Sequence, residues 1–308
     1  MKRAPGDTYP KMPDAEEDVA LEQLRRHLKT ALATVLELQR LYRQVERLEQ
    51  EPVANAYALD QSYRKLDQLV ERLGDAFVKA DAPEMKGRLA HRLTERKAKL
   101  EPAKDKFRAQ FGTELEKTLR ERLDLSLRGQ YPRLLAGMYT IIPDFGRGAA
   151  SIFFGPDQEL LTKARLTPQD VAGALEKAHK SLTARAFNPE EFQSRLRQAY
   201  TLALKRAGRR APDKVPILDV LRELVALMQD RRYYSDPSKE HYKEYRRAAF
   251  SYDLYRLQRR TGGTDGPQLT IATREHTTKR EGFLWVPTDD QGAGTAFAYL
   301  SFREVKEQ

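Results

Sequence analysis

Cysteine is absent from all 308 residues, and with it go disulfides, thiolate nucleophiles and Cys-ligated zinc. No stretch approaches the roughly 18 apolar residues that a membrane span requires. The start, Met1 to Asp7, leads into acidic residues rather than the apolar core of a signal peptide. These features lead to the expectation of a cytoplasmic protein with no membrane partner. Internal repeats and low-complexity tracts are missing, and Gly146-Arg147-Gly148 lacks the Gly-Lys-Ser/Thr of a phosphate loop. Five histidines, His27, His91, His179, His241 and His276, are scattered with no pair at ligand spacing on one helix. No metal and no cofactor is expected. The single tryptophan, Trp285, lies in a β-type run and reads as a core anchor.

Charge is abundant. Charged residues make up 32% of the chain and leave a net +10, which fits an anionic partner. The excess is not evenly spread: residues 231–260 carry nine basic and four acidic side chains, half of the total in thirty residues. Residues 261–308, by contrast, carry five basic and seven acidic side chains.

Apolar residues recur at alternating spacings of three and four at Leu21, Leu24, Leu28, Ala31, Val35, Leu38, Tyr42 and Val45. The pattern restarts at Ala56, Leu59, Tyr63, Leu66, Val70, Leu73 and Phe77. Such stripes face other helices. The first helix should run to about Glu51, where Pro52 stops it, and the second over about 54–80. A third should run from Pro83 to about Leu127, kinked or split at Pro102. Leu32, Leu36, Leu41 and Leu48 widen the first stripe beyond a two-stranded seam and favour packing within the chain. The remaining possibility is a partner-facing or dimer seam.

The texture changes from Gly129. Met138–Ile142 and Ser151–Phe154 read as strands around the loop Pro143–Gly148, and Leu160–Leu166 could add a third. Thr167-Pro168 and Asn188-Pro189 are helix starts, each a capping side chain followed by proline at the first helical position. A helix after Val215-Pro216 should end near Asp230, and another should run from Asp236-Pro237 to about Arg260. Three β-type runs close the chain, at 269–273, 282–286 and 296–302. The expected fold is mainly α: a flexible arm over 1–14, a coiled coil or helical bundle over 15–128, a small α/β segment over 129–187, and an α+β domain over 188–308.

The order of helices 190–207, 216–230 and 238–260 followed by a β-hairpin resembles a winged helix. The likeness covers residues 190–304 and is one of element order. It implies a helix in the DNA major groove, wing strands at 269–274 and 282–286, and a wing tip at His276–Arg280 near the backbone. Winged helices also serve as protein-protein modules, so the resemblance leaves the ligand open.

The same segment has the residue types for phosphate contact. Arg231, Arg232, Lys239, Lys243, Arg246, Arg247, Arg256, Arg259 and Arg260 interleave with Tyr233, Tyr234, Tyr242, Tyr245, Tyr252 and Tyr255, and Lys279 and Arg280 sit at the wing tip. Guanidinium forks bind phosphates and tyrosines pack on sugars or bases. At helical spacing, about half of these tyrosines should instead fill the core. Duplex DNA is the expected ligand, with a protein partner or a second copy on the long helices. The alternatives are a structural subunit of a multiprotein, ATPase-driven machine, and a divergent metal-dependent nuclease using Asp144, Asp157 and Glu159 with Lys163. The last lacks the usual acidic-x-Lys spacing, and two of its carboxylates sit in Pro-Asp turns. A non-catalytic role is the expectation.

Overall fold

The computed structural model describes residues 15–79, 83–261 and 266–303. The expected arm over 1–14, residues 262–265 of the last glycine-rich turn, and the side chains of Leu21, Leu24, Phe77, Met85 and Arg280 lie outside the described residues. The chain divides into two compact units, Met1–Ala109 and Gln110–Gln308.

The first unit holds α1 (Ala15–Leu48), α2 (Ala56–Lys79) and most of α3 (Pro83–Leu123). Pro102 does not split α3, which runs as one helix past it. The α1–α2 turn is closed by Asn55, whose amide donates to the Leu48 carbonyl at 3.1 Å. Leu59, Leu66, Leu69 and Val70 of α2 are buried, with Val45 of α1 and Leu93, Leu100 and Phe107 of α3. Charged pairs frame this core: Lys104 bonds Asp60 at 2.7 Å, and Glu49 accepts from Tyr63 at 2.6 Å and from Arg96 at 3.1 Å. The heptad seam is only partly used. Leu41 and Val45 are buried, whereas Leu28, Leu32, Val35 and Leu36 stay exposed.

The second unit corrects the expected fold class. The structure is 57% helical and 17% strand, a mixed α/β protein rather than a mainly α one, because a five-stranded antiparallel sheet occupies residues 127–165. Its strands β1 (Leu127–Gln130), β2 (Arg133–Ala136), β3 (Tyr139–Asp144), β4 (Ala149–Phe154) and β5 (Glu159–Arg165) pair in chain order. The sequence signals β3 to β5 but not β1, a largely exposed edge strand without apolar alternation. Both helix starts hold: Thr167 caps α4 (Pro168–Thr183) through the Asp170 N–H, and Asn188 caps α5 (Pro189–Arg206) through the Glu190 and Glu191 N–H groups.

There follow β6 (Val215–Pro216), α6 (Ile217–Leu227), α7 (Arg231–Ser235), α8 (Arg247–Thr261), β7 (Gln268–Ile271), α9 (Arg274–Thr277), β8 (Leu284–Pro287) and β9 (Gly294–Ser301). The wing hairpin expected over 269–286 does not form. Both β7 and β8 pair with β9, and among the described residues not with each other. The intervening segment turns into α9, pinned where His276 bonds the Tyr299 hydroxyl at 3.1 Å and Thr273 at 2.7 Å.

One set of contacts joins the two sheets of this unit. Trp285 of β8 meets Phe154 edge-on at 5.4 Å, and its backbone N–H donates to the Gln158 side-chain oxygen. Gly155 has φ +63, and a Cβ there would stand 2.7 Å from the indole. The Glu159 carboxylate accepts from the first-turn N–H of Ala248 at 2.7 Å. Around α8, Phe192, Leu196, Leu224, Phe250, Leu254, Leu284 and Leu300 form the core.

Candidate nucleic-acid interface

α8 is the helix that the resemblance would place in a DNA groove, and it is the most enclosed helix of its unit. Ala248, Phe250, Ser251, Asp253, Leu254, Tyr255 and Leu257 are all buried. It starts at Arg247, not near Asp236, because the preceding chain is held in a loop by Gln229. That side chain accepts from the Lys243 N–H at 2.9 Å and donates to the Lys243 and Val225 carbonyls at 3.1 and 2.8 Å. Tyr242 and Tyr245 therefore have no helical spacing to each other.

The expected phosphate ligands fall into two sets. Those on and beside α8 have partners within the protein, although Arg246, Arg259 and Arg260 stay exposed. Arg246 pairs with Glu159 at 2.6 Å and bonds the Leu160 carbonyl. Arg247 donates to the Phe283 carbonyl at 2.5 Å. Arg256 lies over the Phe187 ring at 4.3 Å and donates to the Arg185 carbonyl. Arg259 pairs with Asp290 at 3.0 Å, and Arg260 with Glu190 at 3.4 Å. Of this set Arg256 also reaches Asp253, at 3.6 Å; that carboxylate, 2% exposed, accepts from Tyr245 at 2.8 Å and Arg185 at 2.5 Å. Burial outweighs these partners and lifts its carboxyl above the ordinary range.

The second set sits on α7 and the loop after it. Arg231, Arg232, Lys239 and Lys243 are exposed. Lys243 lies 3.9 Å from Asp230, and the carboxylates of Asp236, Glu240 and Glu244 are exposed on the same segment. Asp230 is the N-cap of α7, and its carboxyl accepts from the Arg232 and Tyr233 N–H groups at 3.0 and 3.3 Å. The Tyr233 N–H first, then Arg232 and Lys243, hold it below the usual carboxylate range. Tyr233 meets Tyr234 at 5.9 Å and Tyr242 at 5.8 Å, and the outer two rings are 64% and 43% exposed. Three touching tyrosines with four cations around them make a surface with stackable faces and phosphate-seeking charge. Lys279 is exposed in the α9–β8 connection.

Sequence reasoning named Tyr242 but could not join it to Tyr233, because the loop that brings them together depends on Gln229, a residue with no sequence signal of its own. The nuclease carboxylates do not converge. Asp144 closes its own turn through the Arg147 N–H, Asp157 pairs with Arg133 at 2.6 Å, and Glu159 is taken by Arg246. Asp144 and Glu159 pair with opposite ends of β4, Ala149 and Phe154, about 17 Å apart at strand rise. Among the described residues no group of three His, Asp or Glu could hold a metal ion, and no helix is long and apolar enough to cross a membrane. Comparison with family models, curated proteins and solved structures finds no match.

Proposed function

We propose that this protein is a non-catalytic nucleic-acid-binding and assembly factor that holds DNA through Arg231, Arg232, Lys239 and Lys243 and recruits a partner through α1. The observation that carries the DNA half is the exposed Tyr233–Tyr234–Tyr242 cluster among four cations whose charge the fold leaves largely unused. Contact is to the backbone and to base faces, hence indifferent to sequence. A cytoplasmic setting, which needs no disulfides, goes with this reading. The partner half rests on α1, where Leu28 and Leu32 are each 61% exposed on a helix otherwise patterned for packing.

The test is binding of labelled duplex and single-stranded oligonucleotides at 50 and 200 mM salt by the whole chain and by a variant with Arg231, Arg232, Lys239 and Lys243 changed to Ala. Four phosphate contacts give a salt slope of about −3.6 on duplex, a loss of about two decades in affinity over that range. The variant should lose most of both affinity and slope. No binding at 50 mM sinks the DNA half and leaves the exposed α1 leucines, and with them a purely structural subunit, as the better reading.

A further inference from the structure

β5 is the last strand of its sheet, and among the described residues no strand pairs with its outer side. An open edge displays unsatisfied N–H and C=O groups and is a template for another chain. Arg246 occupies the start of this edge by bonding the Leu160 carbonyl at 3.2 Å, so the open portion runs from Leu161, left over at a bulge in the β4–β5 ladder, to Arg165, whose carbonyl is taken by the Thr167 N–H at 2.9 Å. Alongside it lies a groove of about 990 Å³ whose other wall is α4. Gly173, Ala174 and Ala178 keep that wall low, leaving room for a backbone.

The charge of the groove is one-sided. Arg122, Lys163, Arg165, Lys177 and Lys180 line it against two carboxylates, Asp170 and Glu176. Glu176 is already spent on Arg122 at 2.6 Å. Lys163, Arg165, Lys177 and Lys180 are exposed and form no ion pair among the described residues. Strand register divides these cations between two faces. Ile152, buried, stands opposite Thr162, and Ser151 stands opposite Lys163. The pleat therefore puts Thr162 and Ala164 on the core face, and Lys163 and Arg165 on the other. Lys177 and Lys180 belong to the helix that covers the core face.

We infer that this groove binds an extended acidic peptide, which adds to β5 as a sixth antiparallel or parallel strand over Leu161–Arg165. Backbone amides of the peptide pair with the open edge, as in other strand-addition sites. Successive side chains of the added strand alternate between the faces, so one row meets Lys163 and Arg165 while the other meets Lys177 and Lys180. Acidic residues on both rows are thereby favoured. Free phosphate chains could use the charge but not the amide edge, which makes a peptide the better fit. The site is separate from the α7 surface and does not rest on its reading.

The probe is a fluorescein-labelled octapeptide, Glu-Glu-Thr-Val-Glu-Glu-Thr-Val, which has glutamates on both strand faces, titrated against the whole chain by anisotropy. Binding is expected, with protection of the 161–165 amides in hydrogen exchange. The double variant Lys163→Glu/Lys177→Glu, both changes at exposed positions, should bind about tenfold more weakly or worse. The same peptide N-methylated at alternate amides should lose a similar factor. No binding at about 1 mM peptide overturns the proposal, on the millimolar scale where specific affinity ends. Equal affinity for the N-methylated peptide also overturns it, by showing charge alone at work. An oligonucleotide whose binding is lost in the Lys163→Glu/Lys177→Glu variant while the peptide fails to bind would make the groove a phosphate site instead.

Discussion

Asp253 shows at the scale of one residue why a basic sequence segment is not a basic surface. Its carboxylate gathers Tyr245, Arg185 and Arg256 around the middle of α8, and Arg185 in turn lies 5.2 Å over the Tyr245 ring. Removing one partner of a buried pair leaves the other without compensation. Asp253→Ala should therefore destabilise the protein by about 3 kcal/mol, read as a lowered urea midpoint, whereas an exposed change such as Lys239→Ala should stay within about 0.5 kcal/mol. His179 carries a pH dependence. Packed on Tyr139, whose hydroxyl lies 3.0 Å from its Nδ1, it is desolvated, and burial lowers its pKa below the ordinary 6.5 against the opposing charge of Asp290. As pH falls below 6.5 the unfolded chain takes up a proton that the folded site resists, so stability drops through the window between the ordinary and the lowered value. The melting temperature should be lower at pH 5.5 than at 7.5, and His179→Gln should reduce that difference. An unchanged difference would place the titration elsewhere.

Among the elements, the Asp236–Arg246 loop has the largest effect on the candidate interface. Periodicity made it nearly the first half of a helix, with Tyr242, Tyr245, Ala249 and Tyr252 on one stripe. A single glutamine overrides that pattern, because Gln229 satisfies both the N–H and the C=O of Lys243. Unpaired backbone groups beside a core are costly, and a side chain that pairs them fixes the loop more firmly than propensity does. Gln229→Ala should cost about 1–2 kcal/mol for the stranded Lys243 groups. It should also weaken DNA binding although every cation remains, by freeing Tyr242 from Tyr233. Equilibrium unfolding together with the duplex titration checks both. If stability falls while DNA affinity is untouched, the tyrosine cluster is not part of the interface.

For the whole molecule the division between Ala109 and Gln110 is the controlling fact. The first unit is stabilised by contacts among three helices, and the second by the core around α8 that holds Phe250 and Leu300, together with the Phe154–Trp285 contact between its two sheets. Units with separate cores need not unfold together. Scanning calorimetry of the whole chain should show two transitions, and Asp253→Ala should move only one of them. A single transition shifted as a whole would mean that the units are energetically coupled.

Helix spacing, proline stops and capping residues, all local, placed α1 to α6 within a few residues, because each signal acts over a turn or two of chain. The glycine and proline turns likewise marked β3, β4 and β5. The Arg231–Arg260 composition was legible, but its partition was not. Glu159, Glu190 and Asp290, which neutralise Arg246, Arg260 and Arg259, lie 31 to 87 residues away in sequence. The same limit hid the open edge of β5. Lys163 and Lys177 read as unrelated surface charges until the packing of α4 beside β5 brings them to the same edge, one on each face. Sequence alone determined most of which segments coil, bend and extend, since those preferences are local, but not the Asp236–Arg246 loop or the edge strand β1, which tertiary partners hold. Only the tertiary structure decided which charges are spent inside the protein and which remain available, since that depends on neighbours the chain brings together by folding.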